Sequence, residues 1–227
     1  MGQAAIDPMV DRRTLVIVNG AAGGQSAETW DTPFRPNYDR VRDERLRPLG
    51  LSERQIQIAW VKQANPRPTV SLPDRRADAF QLEGSLGNIV RAMKARWPNL
   101  QIVFFSSRIY GGYASTALNP EPFAYESGFS VKWVIEAQIE QARSGRIDLE
   151  SGDLALARTP WLAWGPYLWA DGLNPRADGL VWRRSDFETD GTHPSRSGEE
   201  KVGRLLLDFF TSYPAARCWF IAGHQCS

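Results

Sequence analysis

Short apolar runs alternate with longer segments of helical period along this chain. Apolar runs of strand length, rich in β-branched and aromatic residues, occupy residues 14–19, 56–61 and 101–105. Each run is followed by polar or glycine-containing sequence, which is typical of a buried parallel strand that ends in a loop. The pattern therefore predicts strands over these three ranges.

Helix-forming segments fill the intervals between and after these runs. Residues 37–46 are charged and free of helix breakers, and apolar residues recur at helical spacing over 77–96 and 131–143. A last helix is expected to begin at Ser197, with Glu200 completing a capping box. Its buried stripe is expected to consist of Val202, Leu205, Leu206 and Phe209.

Strands that alternate with helices predict an α/β fold with a parallel sheet covered by helices on both faces. The 227 residues contain no internal repeat and no clear interdomain linker, so we expect one domain over residues 1–227. The aromatic segment over residues 161–169 has no clear period and is expected to be a loop. Ligands of such sheets bind beyond the carboxyl ends of the strands, so polar residues there are the candidates for chemistry.

Composition narrows the choice of partners. The 27 basic and 26 acidic residues leave a net charge of +1, which gives no support to nucleic-acid binding. No apolar stretch approaches the ~20 residues of a membrane span. Residues 1–13 lack the apolar core of a signal peptide, so export would require a true start upstream of Met1. Cys218 and Cys226 either pair in an oxidising compartment or remain thiols.

One short turn has the pattern of a catalytic acid–base pair. Asp190 precedes His193 by three residues on a turn that contains Gly191. A carboxylate at this spacing can accept a hydrogen bond from one ring nitrogen, which leaves the other facing outward as a general base. The alternative is an exposed turn with an incidental histidine. His224, the other histidine, lies in a polar tail and is interpreted as incidental.

These residues carry a family resemblance. The block Asp190-Gly-Thr-His193, directly before a final amphipathic helix, resembles the last signature block of SGNH (GDSL-like) hydrolases. Residues 18–26, Val-Asn-Gly-Ala-Ala-Gly-Gly-Gln-Ser, are similar to the second block of that family, a strand that ends in Asn with a Gly five positions later. The resemblance covers about residues 14–210 and implies a three-layer α/β/α sandwich with a flavodoxin-like parallel sheet. Stretches at 106–110, 121–125 and 164–169 resemble a poorly characterised branch of the family.

The resemblance implies an esterase that needs no metal or organic cofactor. His193 is the implied base and Asp190 its orienting acid, while the backbone N–H of Gly24 is the implied oxyanion donor. Asn65 is the implied second donor, although its surroundings, Trp-Val-Lys-Gln-Ala-Asn, depart from the usual Gly-x-Asn-Asp of the family. The scarcity of histidine and the lack of Cys/His ligand spacing also argue against a metal site.

The nucleophile is the open position in this scheme. In the family it follows a strand that precedes the second block, yet residues 1–13 contain neither serine nor an apolar strand. Either the chain begins after that block, through truncation or a misassigned start, or the nucleophile has been lost, or another serine serves. Ser26 is the candidate, because Gly-Gly-Gln-Ser is similar to the Gly-Gln-Ser motif of some carbohydrate esterases. Ser106 and Ser107 follow a strand but carry no motif, and are interpreted as lining or structural.

Nine tryptophans are many for this length, and several crowd one segment. Trp164 and Trp169 are candidates for contact with a sugar ring or acyl chain, and the same residues are equally typical of a structural cover. Arg108 follows a strand and would suit a carboxylate or sulfate on the substrate, or a structural ion pair. The leading hypothesis is an ester hydrolase acting on a small-molecule or carbohydrate ester, of which an acetylated carbohydrate is one example. The alternative is a non-catalytic relative that binds carbohydrate in the same cleft.

Overall fold

Three short strands form a parallel sheet. The computed structural model describes residues 2–224, with β1 at Ile58–Val61, β2 at Ile102–Phe105 and β3 at Trp161–Trp164. β2 is central, and its last residue, Phe105, pairs with Val61 and Trp164. Because the strands run in the same direction, the loops that follow them leave from one edge of the sheet. Strands together with helices in this parallel arrangement agree with the predicted α/β class.

The remaining regular elements of the described chain are helices and helical turns. The α-helices are α1 (Gly2–Ile6), α2 (Pro36–Arg40), α3 (Asp78–Arg96), α4 (Phe123–Ser144), α5 (Arg196–Ser212) and α6 (Pro214–Phe220). A π-helical segment over Val41–Leu46 continues α2, and 3-10 turns lie at Ala27–Thr29, Arg47–Leu49, Glu53–Gln55 and Arg184–Asp186. The predicted helices over 77–96 and 131–143 are both present. The second begins earlier than expected, at Phe123, and ends where Gly145 adopts the left-handed conformation at φ 76°.

Alternate side chains of the strands divide the core into two parts. Val103, Phe105 and Leu162 belong to a buried cluster that also contains apolar residues of α3 and α4. Phe104 points to the opposite face, where its ring meets those of Phe209 and Phe210 from α5. Successive strand residues face opposite sides, so a four-residue strand can serve two cores. Each fully buried aromatic or aliphatic side chain contributes about 1.5–3 kcal/mol to this packing.

The predicted strand over residues 14–19 is wrong. The structure has no strand there, and Val16 is 53% exposed. Leu15 and Ile17 pack instead against the cluster around Phe220. The run has a composition suited to a strand, but a strand forms only where a neighbour supplies backbone partners, and none pairs with this segment in the described chain.

The loop predicted over residues 161–169 is wrong in its first half. Residues Trp161–Trp164 form β3, which takes its register from β2 through the pairing of Ile102 with Trp161. Leu162 is buried, whereas Trp161 is 44% exposed. Alternation over only four residues is too short a signal for a strand, so the long-range pairing decides this element.

The capping box expected at Ser197 and Glu200 is also absent. The last helix begins at Arg196, after Ser195 as the N-cap residue. The hydroxyl of Ser197 donates to the carbonyl of Ser185 and to the carboxylate of Asp186, and the Glu200 side chain pairs with Arg196. The Ser197 hydroxyl therefore bonds residues outside the helix and does not cap the helix N-terminus. The expected stripe of this helix is partly rather than fully buried.

Two further sequence expectations concern topology and the C-terminus. Within residues 2–224, no helix combines the length and the apolarity needed to cross a membrane. The pairing of Cys218 with Cys226 lies outside the described residues, because Cys226 is not among them.

Candidate functional site

The candidate site is built on a tight turn between Asp190 and His193. Nδ1 of His193 lies 2.5 Å from Oδ2 of Asp190. The other carboxylate oxygen accepts the backbone N–H groups of Thr192, at 2.9 Å, and of His193, at 3.0 Å. Both oxygens of Asp190 are thus engaged within the turn, and one ring nitrogen of His193 is fixed. The His193 side chain remains 59% exposed, and its Nε2 makes no hydrogen bond to residues 2–224.

Backbone contacts from a neighbouring loop hold this turn. Gly191 adopts φ 67°, and a Cβ at this position would lie 1.8 Å from the carbonyl oxygen of Tyr113. The carbonyl of Asp190 accepts the backbone N–H of Ser115 at 2.9 Å. Glycine is therefore required twice, for the left-handed backbone and for the close approach. The loop that follows β2 consequently fixes where His193 lies.

An ion pair between a buried carboxylate and a partly exposed lysine anchors the chain on either side of the turn. Asp186 is 5% exposed, and its carboxylate accepts from Nζ of Lys201 at 2.5 Å. The backbone carbonyl of Asp186 accepts the N–H of Ser195, and Phe187 pairs with Pro194 in a single bridge. The residues before and after the Asp190–His193 turn are thereby closed into one hairpin-like loop that leads into α5.

Hydrogen bonding keeps the carboxyl of Asp190 ionised. Partial burial alone would raise its pKa, but hydrogen bonds from the Thr192 N–H and from the ring and backbone of His193 outweigh this effect and lower the pKa to about 2. A carboxylate that stays charged at neutral pH can hold the imidazole in one tautomer and stabilise a developing imidazolium.

Asp190→Asn is expected to reduce stability at neutral pH and much less near pH 2. The folded pKa of about 2 lies below the value of about 3.9 in an unfolded chain. The ionised carboxylate therefore favours the folded state above about pH 4, and this contribution disappears as the pH falls through the folded pKa. Urea unfolding of both proteins between pH 7 and pH 2 should show a difference that shrinks with pH. Glu188→Gln, which removes a neighbouring carboxylate without a side-chain hydrogen bond, is the control, and a pH-independent difference for Asp190→Asn would contradict the prediction.

The loop after residues 14–19 presents Gly24 and Ser26. Gly24 is exposed at φ 71°, and its backbone N–H has no partner in the described chain. The Ser26 hydroxyl bonds the carboxylate of Glu28 at 3.3 Å. No serine hydroxyl within residues 2–224 bonds the ring of His193, so the structure does not join Ser26 to the acid–base pair.

Asn65 lies beside this loop and beside the loop after β2. The backbone N–H of Ala27 donates to the carbonyl of Ala64 at 2.9 Å, which brings Ser26 next to the segment that follows β1. The side chain of Asn119 donates to the carbonyl of Asn65 at 2.8 Å. The side-chain amide of Asn65 makes no hydrogen bond to the described residues and remains available as a donor. The loop after β2 therefore touches both Asn65, through Asn119, and the His193 turn, through Ser115.

Ser106 and Ser107 have structural contacts. Both are buried, and the Ser106 hydroxyl accepts from Nε1 of Trp60 and donates to the carbonyl of Pro166. The Ser107 hydroxyl accepts the backbone N–H groups of Leu168 and Trp169. These contacts tie the end of β2 to the segment after β3, and both hydroxyls are buried and make no hydrogen bond to His193.

The aromatic candidates separate into two environments. Trp164 packs against the core between the sheet and α3–α4, with its ring 5.9 Å from that of Tyr167. Trp169 lies in an aromatic group with Tyr110 and Tyr125, the latter 41% exposed. Trp169 is thus the better placed of the two to meet a ligand.

Two positively charged residues at the strand ends complete the surroundings of the site. The backbone N–H of Arg108 donates to the hydroxyl oxygen of Ser127, and the buried Nε of Arg108 has no partner in the described chain. Lys62 directly follows β1 and is one of the polar residues at the strand ends that the sequence indicates as candidates for chemistry, with no role assigned. Its only signal in the sequence is its position after an apolar strand. Tyr113 and Ser115, which hold the turn, have no sequence signal, because their contacts join segments about 75 residues apart and are made largely to backbone atoms.

A surface groove elsewhere contains none of the predicted site residues. It has a volume of about 530 Å³ and is bordered by Phe80, Glu83 and Trp133, on the outer side of α3 and α4. No group of three or more acidic, histidine or cysteine side chains within residues 2–224 is arranged to hold a metal ion.

Comparison with known proteins identifies no similar protein. The chain matches no protein-family model, no curated protein and no solved structure. Function must therefore be inferred from the residues of the site.

Proposed function

We propose that this protein is a serine-type ester hydrolase of the SGNH kind, with a three-layer α/β/α sandwich and an acylated small molecule or carbohydrate as substrate. The observation that carries the proposal is the bond between Nδ1 of His193 and Asp190, which leaves Nε2 exposed to a substrate. The packing of helices against both faces of the sheet supports the fold.

The proposed mechanism assigns one role to each group. His193 takes a proton from the attacking hydroxyl through Nε2 and returns it to the leaving alcohol, while Asp190 holds the ring and stabilises its protonated form. The N–H of Gly24 and the amide of Asn65 stabilise the negative oxygen of the tetrahedral intermediate. Both donors are free of protein partners in the described chain, as such donors must be before substrate binds.

Turnover of p-nitrophenyl acetate tests this proposal. His193→Ala is expected to reduce turnover by about three orders of magnitude or more, because the base and its orienting acid act as one unit. His224→Ala, which removes the other histidine in an exposed position, is the matched control and should leave turnover unchanged. Equal activity of His193→Ala and the parent protein would contradict the assignment.

A covalent label identifies the nucleophile. An organophosphorus fluoridate that reacts with activated serines should label one serine in the parent protein and none in His193→Ala, with the position read by peptide mass spectrometry. Labelling at Ser26, lost in Ser26→Ala together with turnover, would identify Ser26. Turnover that persists in Ser26→Ala would exclude it.

A non-catalytic carbohydrate-binding protein is the second candidate. The observation that favours it is the lack of any serine hydroxyl bonded to His193 in the described chain, beside aromatic rings at Trp169 and Tyr125 that suit a sugar face. This candidate predicts no turnover and no serine labelling, but saturable binding of an acetylated oligosaccharide that Trp169→Ala weakens.

A further inference from the structure

Two positively charged side chains follow neighbouring strands at the edge of the sheet where ligands bind. Lys62 comes directly after Val61, and Arg108 lies three residues beyond Phe105, the residue that pairs with Val61. Parallel strands end at a common edge, so both cations belong to the same surface as Asn65.

Neither cation is paired with an acidic side chain in the described chain. The side chains of Lys62 and Arg108 form no ion pair and no hydrogen bond with any of residues 2–224, and Nε of Arg108 is buried without a partner. Arg40 also leaves one buried nitrogen unpaired, but its other nitrogens donate to Asn37 and to the carbonyl of Gly20. Arg108 therefore differs from an arginine held in place by structural bonds.

Within residues 2–224, the acidic residue whose charge acts on Arg108 is Glu121, and its carboxylate already accepts other hydrogen bonds. Oε1 of Glu121 accepts the backbone N–H of Gly111 and Nε1 of Trp169, both at 2.8 Å, and Oε2 accepts the N–H of Tyr125 at 3.0 Å. These bonds orient the carboxylate toward its own loop and toward Trp169. Both oxygens of the Glu121 carboxylate therefore have hydrogen-bond donors other than Arg108.

The two cations are held in an environment that opposes their charge. Burial, and then the positive charge of Arg108, lower the pKa of Lys62 to about 7. Burial also lowers the pKa of Arg108 to about 10, with Glu121 acting in the opposite direction. Partly buried like charges without partners cost free energy, and a bound anion would remove that cost.

We propose that Lys62 and Arg108 bind an oxyanion group, such as a carboxylate or a sulfate, carried by the substrate. The guanidinium offers paired donors to two oxygens of such a group, and the ammonium adds a point charge. This inference rests on the proposed function, because the group would belong to the ester whose carbonyl is attacked near Asn65. The preferred substrate would then be an ester that carries a negative charge, for example an acetylated uronic acid or a sulfated sugar ester. A neutral sugar ester would bind less tightly.

Calorimetric titration with sodium sulfate and with sodium acetate tests the site without any turnover. At constant ionic strength kept with chloride, the parent protein should bind at least one of the two anions saturably, and the stronger one identifies the oxyanion type. Lys62→Gln and Arg108→Gln should each weaken binding about tenfold or more, and the double variant should abolish it. Lys132→Gln removes an exposed lysine of α4 and should bind as the parent does. Unchanged binding in the double variant, or no binding to the parent, would overturn the proposal.

A second measurement needs no variant, in case loss of Arg108 prevents folding. Acetic anhydride acetylates accessible lysines, and mass spectrometry reports each site separately. The favoured anion should slow acetylation of Lys62 several-fold and leave that of Lys132 unchanged. Equal rates at Lys62 with and without the anion would count against the site.

Activity on matched esters separates this inference from the proposed function. An acetylated uronic acid should have a lower KM than its neutral sugar counterpart, and Arg108→Gln should remove the difference. If no ester is hydrolysed while the anion still binds and protects Lys62, the anion site stands and the hydrolase proposal fails. If hydrolysis depends on His193 but anions neither bind nor lower KM, the hydrolase stands and the anion site fails.

Discussion

Gly191→Ala is expected to destabilise the protein by about 3–5 kcal/mol, at the upper end of single substitutions. The added Cβ would lie 1.8 Å from the carbonyl oxygen of Tyr113 and 2.4 Å from its carbonyl carbon. Both are backbone atoms, so no side-chain rotation can relieve the overlap. The left-handed φ of 67° adds about 1 kcal/mol for any residue with a Cβ. The loop after β2 and the His193 turn must therefore move apart.

Gly179→Ala is the matched control for this prediction. Gly179 has φ 82°, but a Cβ there would meet nothing within 4 Å. Its substitution should cost only the conformational term of about 1 kcal/mol. The free energies of unfolding of the two variants, measured in urea, distinguish the cost of the left-handed backbone from the cost of the clash with Tyr113. Equal losses for Gly191→Ala and Gly179→Ala would show that contact with Tyr113 contributes nothing.

Asp186→Ala is expected to cost about 3–5 kcal/mol, because it leaves the ammonium of Lys201 with its counter-charge removed. Asp186 is 5% exposed and accepts hydrogen bonds from Lys201, from the Ser197 hydroxyl and from the backbone N–H of Arg183. Burial opposes ionisation of this carboxyl, but these bonds outweigh it and lower its pKa. The stabilisation is present above the pKa of the unfolded carboxyl and is lost as the pH falls through the folded value.

A double-mutant cycle isolates the ion pair. Nζ of Lys201 also donates to the carbonyl of Val181 and lies 5.0 Å above the ring of Trp182, so Lys201→Met keeps part of the packing. Asp186→Ala combined with Lys201→Met should lose clearly less than the sum of the two single losses. Glu200→Ala breaks an ion pair with Arg196 that is largely exposed on the same helix, and should change stability by less than about 0.5 kcal/mol. Additive losses for Asp186 and Lys201 would contradict the coupling.

Gly191 and Asp186 affect the proposed function by holding the loop that carries Asp190 and His193. Gly191 and Asp186 touch neither substrate nor the reacting atoms in the proposed mechanism. They fix the loop on which His193 and Asp190 are held, because one joins that loop to the loop after β2 and the other joins it to α5. A variant that remains folded but has a displaced turn should lose turnover while keeping anion binding at Lys62 and Arg108.

The parts of the fold that were predictable are those fixed by local pattern. Long segments with helical period, 77–96 and 131–143, appear as α3 and α4, and two of the three apolar runs form β1 and β2. The failures are short segments whose state depends on a partner. Residues 14–19 lack a strand to pair with, whereas β3 is a strand because β2 lies beside it. Ser197 fails as a cap because Asp186, distant in sequence, takes its hydroxyl.

The contact between Asp190 and His193 follows from local sequence alone. Asp190 and His193 are three residues apart with a glycine between them, and that spacing on a tight turn suffices to bring the carboxylate to Nδ1. The surroundings of these two residues depend on long-range contacts. The support from Tyr113 and Ser115, the burial of Ser106 and Ser107, and the unpaired charges of Lys62 and Arg108 all arise between segments far apart in the chain. Such contacts depend on which strands and loops become neighbours in the fold. The local spacing of residues does not predict which segments these are.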